Sequence, residues 1–162
     1  MRILFIGDIV GSPGRQMLQQ HLPALKTKIC PDLTIVNGEN AAHGKGITKK
    51  IYHQLLSCGA DYITMGNHTF SKSELKMFIQ EADRLIRPVN LAPVELGEGV
   101  RIARVNGKRI GMVNLCGEVF MDNVVRSPFE CMSEILNRTL ADLWFVDFHG
   151  ETTGEKETFA QV

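Results

Sequence analysis

The feature that most constrains this chain is the alternation, along its first half, of short β-rich runs with stretches of helical periodicity. Arg2 to Gly7 reads as a buried strand, Pro13 to Ile29 as a helix with apolar positions Met17, Leu18, Leu22 and Leu25, and Leu33 to Asn37 as a second strand. Thr48 can cap a helix running to about Cys58, and Asp61 to Met65 forms a third strand. Ser71 can cap a helix through Ala82, with Glu74 at the capping-box position. A βαβαβα series implies a mostly parallel sheet with helices on its faces, hence an α/β fold.

After Pro88 the pattern changes. Gly99 to Val105 and Arg109 to Cys116 flank Asn106-Gly107, a two-residue hairpin signal, so an antiparallel pair is expected to join the sheet. A helix from about Ser127 to Leu140 and a buried strand from Leu143 to Phe148 follow, and Glu151 to Glu157 is a polar loop or helix start. Repeats, low-complexity tracts and linkers are lacking, which makes residues 1–162 a single domain.

Composition narrows the function. Lys plus Arg and Asp plus Glu both number 18, so no net charge attracts a polyanion from a distance. Long nucleic acid is disfavoured as a partner; a nucleotide-sized substrate is not. The apolar opening from Met1 to Gly7 is interrupted by Asp8, far short of a signal peptide's core or a membrane span, so a cytoplasmic location and no membrane partner are expected. Cys30, Cys58, Cys116 and Cys131 include no C-x-x-C pair and are expected to be free thiols, mostly packed as small hydrophobes.

The informative pattern is the placement of polar residues. Asp8 follows the first strand, Asn37-Gly38-Glu39-Asn40 the second and Gly66-Asn67-His68 the third, and Asp147-Phe148-His149 closes the last. Ligands of open α/β sheets bind at this carboxyl edge. Singly, each segment has an ordinary explanation: a helix cap for Asp8, a solvated loop for Glu39-Asn40, turn chemistry for Asn67-His68, a buried structural histidine for His149. Four coincidences on one edge are harder to assign to caps and turns. Carboxylate and amide oxygens with imidazole, and no thiolate, suit Mn²⁺, Fe²⁺ or Zn²⁺. One carboxylate shared by two ions about 3.5–4 Å apart makes a bimetal centre for in-line displacement at phosphorus. The glycine-rich turn Gly7 to Arg15 competes as a dinucleotide loop, but its spacing is not G-x-G-x-x-G and Asp8 sets a negative charge beside the phosphates.

Gly7 to Arg15, Asn37 to Gly46, Met65-Gly66-Asn67-His68-Thr69 and Asp147 to Lys156 resemble, in order and at matching intervals, the YmdB-like family of bacterial metallophosphoesterases. The resemblance implies a calcineurin-like sandwich of mixed sheets flanked by helices. It also implies two divalent metal ions, iron or manganese first with zinc or magnesium as alternatives, and phosphodiesterase activity on 2′,3′-cyclic nucleotides. Position by position, Asp8 holds the first metal, Glu39 bridges, Asn67 and His149 hold the second, and Asn40 matches a further metal-site position. His68 matches the proton donor, and a hydroxide bridging the metals is the expected nucleophile.

Family members continue to a later G-T-H-T-H motif that supplies two more histidines, and no such motif precedes Val162. The chain is therefore expected to lack the C-terminal portion of the domain and to leave a sheet edge open to another copy. A second class stays open on that ground: a catalytically weak metal- or nucleotide-binding fragment acting through protein contacts in regulation. Phe70, Gly154 and Glu118 stand where Trp, Ser and Arg are usual in the family, and Glu118 reverses a charge. His43 and Lys45 can meet a substrate phosphate or simply form a surface turn, and Arg15 can be a solvated charge.

Overall fold

A computed structural model describes residues 1–161. Seven strands and five helices follow the chain as β1 (Ile3–Ile6), α1 (Gly11–Ile29), β2 (Leu33–Asn37), α2 (Lys49–Ser57), β3 (Tyr62–Thr64), α3 (Ser73–Phe78), β4 (Leu85–Ile86), β5 (Val100–Val105), β6 (Lys108–Cys116), α4 (Pro128–Arg138), β7 (Leu143–His149) and α5 (Thr153–Ala160). β1 to β4 form a parallel sheet in sequence order, with Ile35 of β2 opposite Phe5 and Tyr62. β2 is buried throughout, as a central strand covered on both faces should be.

The hairpin does not join that sheet. β5 and β6 pair antiparallel around Asn106 and Gly107, both at positive φ as a two-residue primed turn requires, and β7 then pairs parallel to β6 in a separate three-stranded sheet. The reason lies in β6, whose two faces are both buried: Ile110 and Met112 meet Leu33, Ile35 and Ile86 of the first sheet, while Val113 and Leu115 meet Cys131 and Ile135 of α4. With α1, α2 and α3 covering the other face of the first sheet, the layers run helix, sheet, sheet, helix. β7, expected to be buried, is an edge strand and mostly half-buried.

Local signals divide. The Thr48 hydroxyl accepts from the Ile51 amide and caps α2 as expected. Ser71 caps nothing. It ends a 3₁₀ turn, α3 begins at Ser73 without a side-chain cap, and the Glu74 carboxylate instead accepts from the Lys49 amide at the start of α2. The expected helix to Ala82 accordingly breaks at Phe78 into a second 3₁₀ turn. In α1, Leu18 and Leu22 are buried, whereas Met17 and Leu25 lie exposed. All four cysteines are free; Cys116 and Cys131 pack in the core, and Cys30 is exposed at the end of α1. Among the described residues, no helix is long and apolar enough to cross a membrane.

Candidate metal centre

Each segment reaches the carboxyl edge by its own local device. Beyond β1, Asp8 stands exposed at the lip before α1 starts at Gly11, a positive-φ position. Beyond β2, the Asn37 Oδ1 accepts the Glu39 amide at 3.1 Å, an Asx turn that folds Glu39 inward until it is 2% exposed. Beyond β3, the Thr69 hydroxyl donates to the Gly66 carbonyl at 2.6 Å, which curls Asn67-His68 over the edge and lets the His68 amide donate to Glu39 Oε2 at 3.2 Å. β7 ends on His149, whose Nε2 lies 3.2 Å from Glu39 Oε1. Gly66 is required at this crossing, because a Cβ there would sit 2.1 Å from Glu39 Oε2 and 2.7 Å from His149 Cγ.

Asp8, Glu39, Asn40, Asn67, His68 and His149 all line one cleft of about 410 Å³. Within it Asp8, Glu39 and His149 each offer a ligand atom, all within 4.8 Å of one another. Asn40 Nδ2 donates to Glu39 Oε1 at 2.9 Å and to Asp8 Oδ2 at 3.4 Å, and its Oδ1 is left buried without a partner. His68 Nδ1, 3.6 Å from Glu39 Oε1, is likewise buried and unpartnered.

Burial pushes the Glu39 carboxyl up, but the His149 ring and the His68 amide and charge outweigh it and hold Glu39 below the usual carboxylate range. His149 shows the converse: burial lowers it, and the facing carboxylates of Glu39, Asp8 and Asp147 raise it overall. Burial, with Asp8 adding to it, pushes the Asp147 carboxyl up. Cys116 lies beneath the same groups, and burial together with the Glu39 and Asp147 charges drives its thiol far above the ordinary range, so no thiolate is offered. The donors on hand are hard oxygens and imidazole nitrogen, a buried amide oxygen among them lacks a partner, and this set fits a divalent transition-metal ion.

Other side chains named from the sequence lie elsewhere. The Arg15 guanidinium donates to the Ala41 carbonyl and ties α1 to the loop after β2. His43 and Lys45 are exposed on that loop and do not line the cleft, nor does Glu118, which is also exposed and whose amide donates to Glu155 Oε1 at 2.7 Å. Sequence reasoning missed Glu151 and Lys156, which do line it; Lys156 is the one Lys or Arg among the lining residues. Its signal was its position nine residues beyond Asp147, one helical turn into α5, where a side chain can fold back over Gly150.

Comparison with known proteins gives this geometry its relatives. The chain is 50% identical over 159 residues to a Bacillus subtilis protein named 2′,3′-cyclic-nucleotide 2′-phosphodiesterase, covering 96% of this chain and 60% of that one. A crystal structure described as a novel phosphatase from Mycoplasma pneumoniae superposes with a TM-score of 0.92 at 41% identity, over 98% of this chain and 58% of that one. A hypothetical protein from Thermus thermophilus superposes with a TM-score of 0.91 at 36% identity, over 99% of this chain and 62% of that one. The chain thus spans about three-fifths of the length of the relatives it matches. The fold is the expected metallophosphoesterase sandwich, two sheets between helical layers. A sequence profile described as YmdB-like protein matches residues 4–162, and the chain belongs to that family.

Proposed function

We propose that this chain carries the ligand-bearing part of a divalent-metal-dependent phosphodiesterase acting on 2′,3′-cyclic nucleotides, the substrate in the name of the Bacillus subtilis relative. The observation that carries the reading is the convergence of Asp8, Glu39 and His149 within 4.8 Å around a carboxylate that is nearly inaccessible to solvent. Glu39 presents both oxygens to the cleft side, Oε1 to His149 and Oε2 to the His68 amide, as a carboxylate shared by two ions would. Asp8 and Asn40 would hold one ion with it, and Asn67 and His149 the other. A bound divalent ion supplies a water acidic enough to ionise near neutral pH and positive charge for the phosphoryl oxygens.

The residues do the rest. The His68 ring, 29% exposed, stands at the mouth of the cleft and in its protonated form donates to the ribose oxygen that leaves as the P–O bond breaks. Lys156 meets the phosphodiester's negative charge, which the carboxylates of Asp8, Asp147 and Glu151 along the wall would otherwise repel. The chain's zero net charge suits a small mononucleotide more than a polynucleotide.

The test is to load the purified chain with Mn²⁺ or Fe²⁺, count bound metal, and follow 2′,3′-cyclic AMP hydrolysis. Two bound ions with turnover, and loss of both ions in Glu39→Gln, are expected. A chain that takes up no metal, or a Glu39→Gln variant that stays fully active, overturns the reading.

A further inference from the structure

The layer between the two sheets has two different ends. Inward-facing positions toward the amino ends of the strands are apolar, among them Leu33, Ile35, Ile110 and Met112. The same alternating positions, followed to the carboxyl ends, become Asn37, Asn114 and Asp147. Asn37 Nδ2, on the first sheet, donates to Asp147 Oδ2 of the second at 3.0 Å and to the Met65 carbonyl at 3.1 Å, while its Oδ1 takes the Glu39 amide. Asn114, on the second sheet, takes the Met65 amide of the first at 3.2 Å on Oδ1 and donates to the Asp147 carbonyl at 3.0 Å. Both amides are essentially inaccessible, at 1% and 0% exposure, and neither lines the cleft.

We propose that Asn37 and Asn114 are positioning residues: two buried amides that lock the sheets in register at their carboxyl ends and so hold Glu39 and His149 at the separation a shared metal ion needs. The proposal rests on the metal-centre reading above. Apolar contact is non-directional and leaves two sheets free to slide by fractions of an ångström. Hydrogen bonds made in fixed directions by amides with no freedom left do not. Glu39 is two residues beyond Asn37, and His149 two residues beyond Asp147, so the device acts on both from inside the same strands or turns. Apolar side chains in their place would leave the Met65 amide and carbonyl, the Glu39 amide and the Asp147 carbonyl without these partners, so the two amides satisfy the buried backbone in the same directions that fix the geometry.

The experiment titrates Mn²⁺ into the wild-type chain and into Asn114→Ala, Asn37→Asp and the Asn37→Asp/Asp147→Asn pair, with Ile35→Ala as a variant weakened at the apolar end. Folding is followed by circular dichroism, and the His149 ring ¹H–¹⁵N resonances are recorded without metal. Asn114→Ala and Asn37→Asp are expected to bind Mn²⁺ about 10–100-fold more weakly while folded, the loss typical of groups that orient metal ligands. In Asn37→Asp that loss appears against an added negative charge. The double variant, with wild-type net charge and the donor–acceptor pair reversed, recovers part of it. His149 resonances move in both single variants and stay put in Ile35→Ala.

Wild-type affinity in a folded Asn37→Asp or Asn114→Ala chain overturns the proposal, as does an equal loss in Ile35→Ala. Should Asn114→Ala fail to fold, Asn37→Asp and its partnered double variant decide. A wild-type chain that takes up no Mn²⁺ overturns the metal-centre reading instead, and the metal-free His149 resonances then judge the positioning role: unmoved in both single variants, they overturn it.

Discussion

The two ends of the inter-sheet layer are built from the same strands, with the same alternation of faces, and differ only in the side chains placed there. Toward the amino ends, Leu33, Ile35, Ile110 and Met112 exclude water and contribute stability by burial. At the carboxyl ends, Asn37, Asn114, Asp147, Glu39 and His149 bury polar groups, which is tolerable only because nearly every donor and acceptor finds a partner across the gap. One region spends its burial on stability and the other on geometry. Two of the exceptions at the polar end, Asn40 Oδ1 and His68 Nδ1, line the cleft. A layer that is dry at one end and wired at the other separates what keeps the protein folded from what lets it act.

Substitutions at each end test that separation. The largest effect is expected for His68→Ala, which should lower kcat by about 10²–10⁴-fold while bound metal, measured by elemental analysis, stays at the wild-type level. Loss of metal in parallel with kcat removes His68 from the proton-donor role. At the dry end, Ile35→Ala should cost about 2–5 kcal/mol of stability in a urea titration and leave the Mn²⁺ affinity of the folded molecules alone. A matching drop in affinity breaks the division between the two ends.

Gly66→Ala comes next. The added methyl must displace Glu39 or His149, at a strain of about 1–3 kcal/mol, and the loss should show in Mn²⁺ affinity more than in thermal midpoint. A midpoint that falls while affinity holds places Gly66 with the core instead. The smallest effect belongs to Lys156→Met, an exposed side chain, for which a KM increase of less than about tenfold and unchanged metal content are expected in steady-state kinetics. An unchanged KM removes Lys156 from phosphate contact.

Much of this is legible in the residues alone. The β-rich runs predict β1, β2, β3, β6 and β7 nearly in place, because a buried parallel strand must be a short apolar run bounded by turns. Asn106-Gly107 predicts its hairpin, since few other pairs accept two positive φ values. Asp8, Glu39, Asn40, Asn67 and His68 line one cleft because the parallel strands β1, β2 and β3 bring their carboxyl ends to one edge, and His149 joins them from the second sheet. Less legible were features settled by neighbours distant in the chain. Ser71 and Glu74 make a capping box on paper, and the box fails because the Lys49 amide competes for Glu74. β6 reads like any apolar strand, and only the covering of both its faces shows that it is the central strand of a second sheet. Asn114 looks like a polar interruption of an apolar run until Met65 and Asp147 are seen on either side of it.

The order of residues carries the periodic information: which runs are strands and helices, and which strand ends carry carboxylate, amide and imidazole. Those follow from local sterics and from the alternation of faces, which act over a few residues. Tertiary structure alone decided that the strands divide into two sheets, that Lys156 rather than His43, Lys45 or Arg15 reaches the cleft, and that two asparagines more than seventy residues apart hold its walls. Those depend on contacts between distant segments, whose directional bonds exist only once apolar burial has brought the layers together.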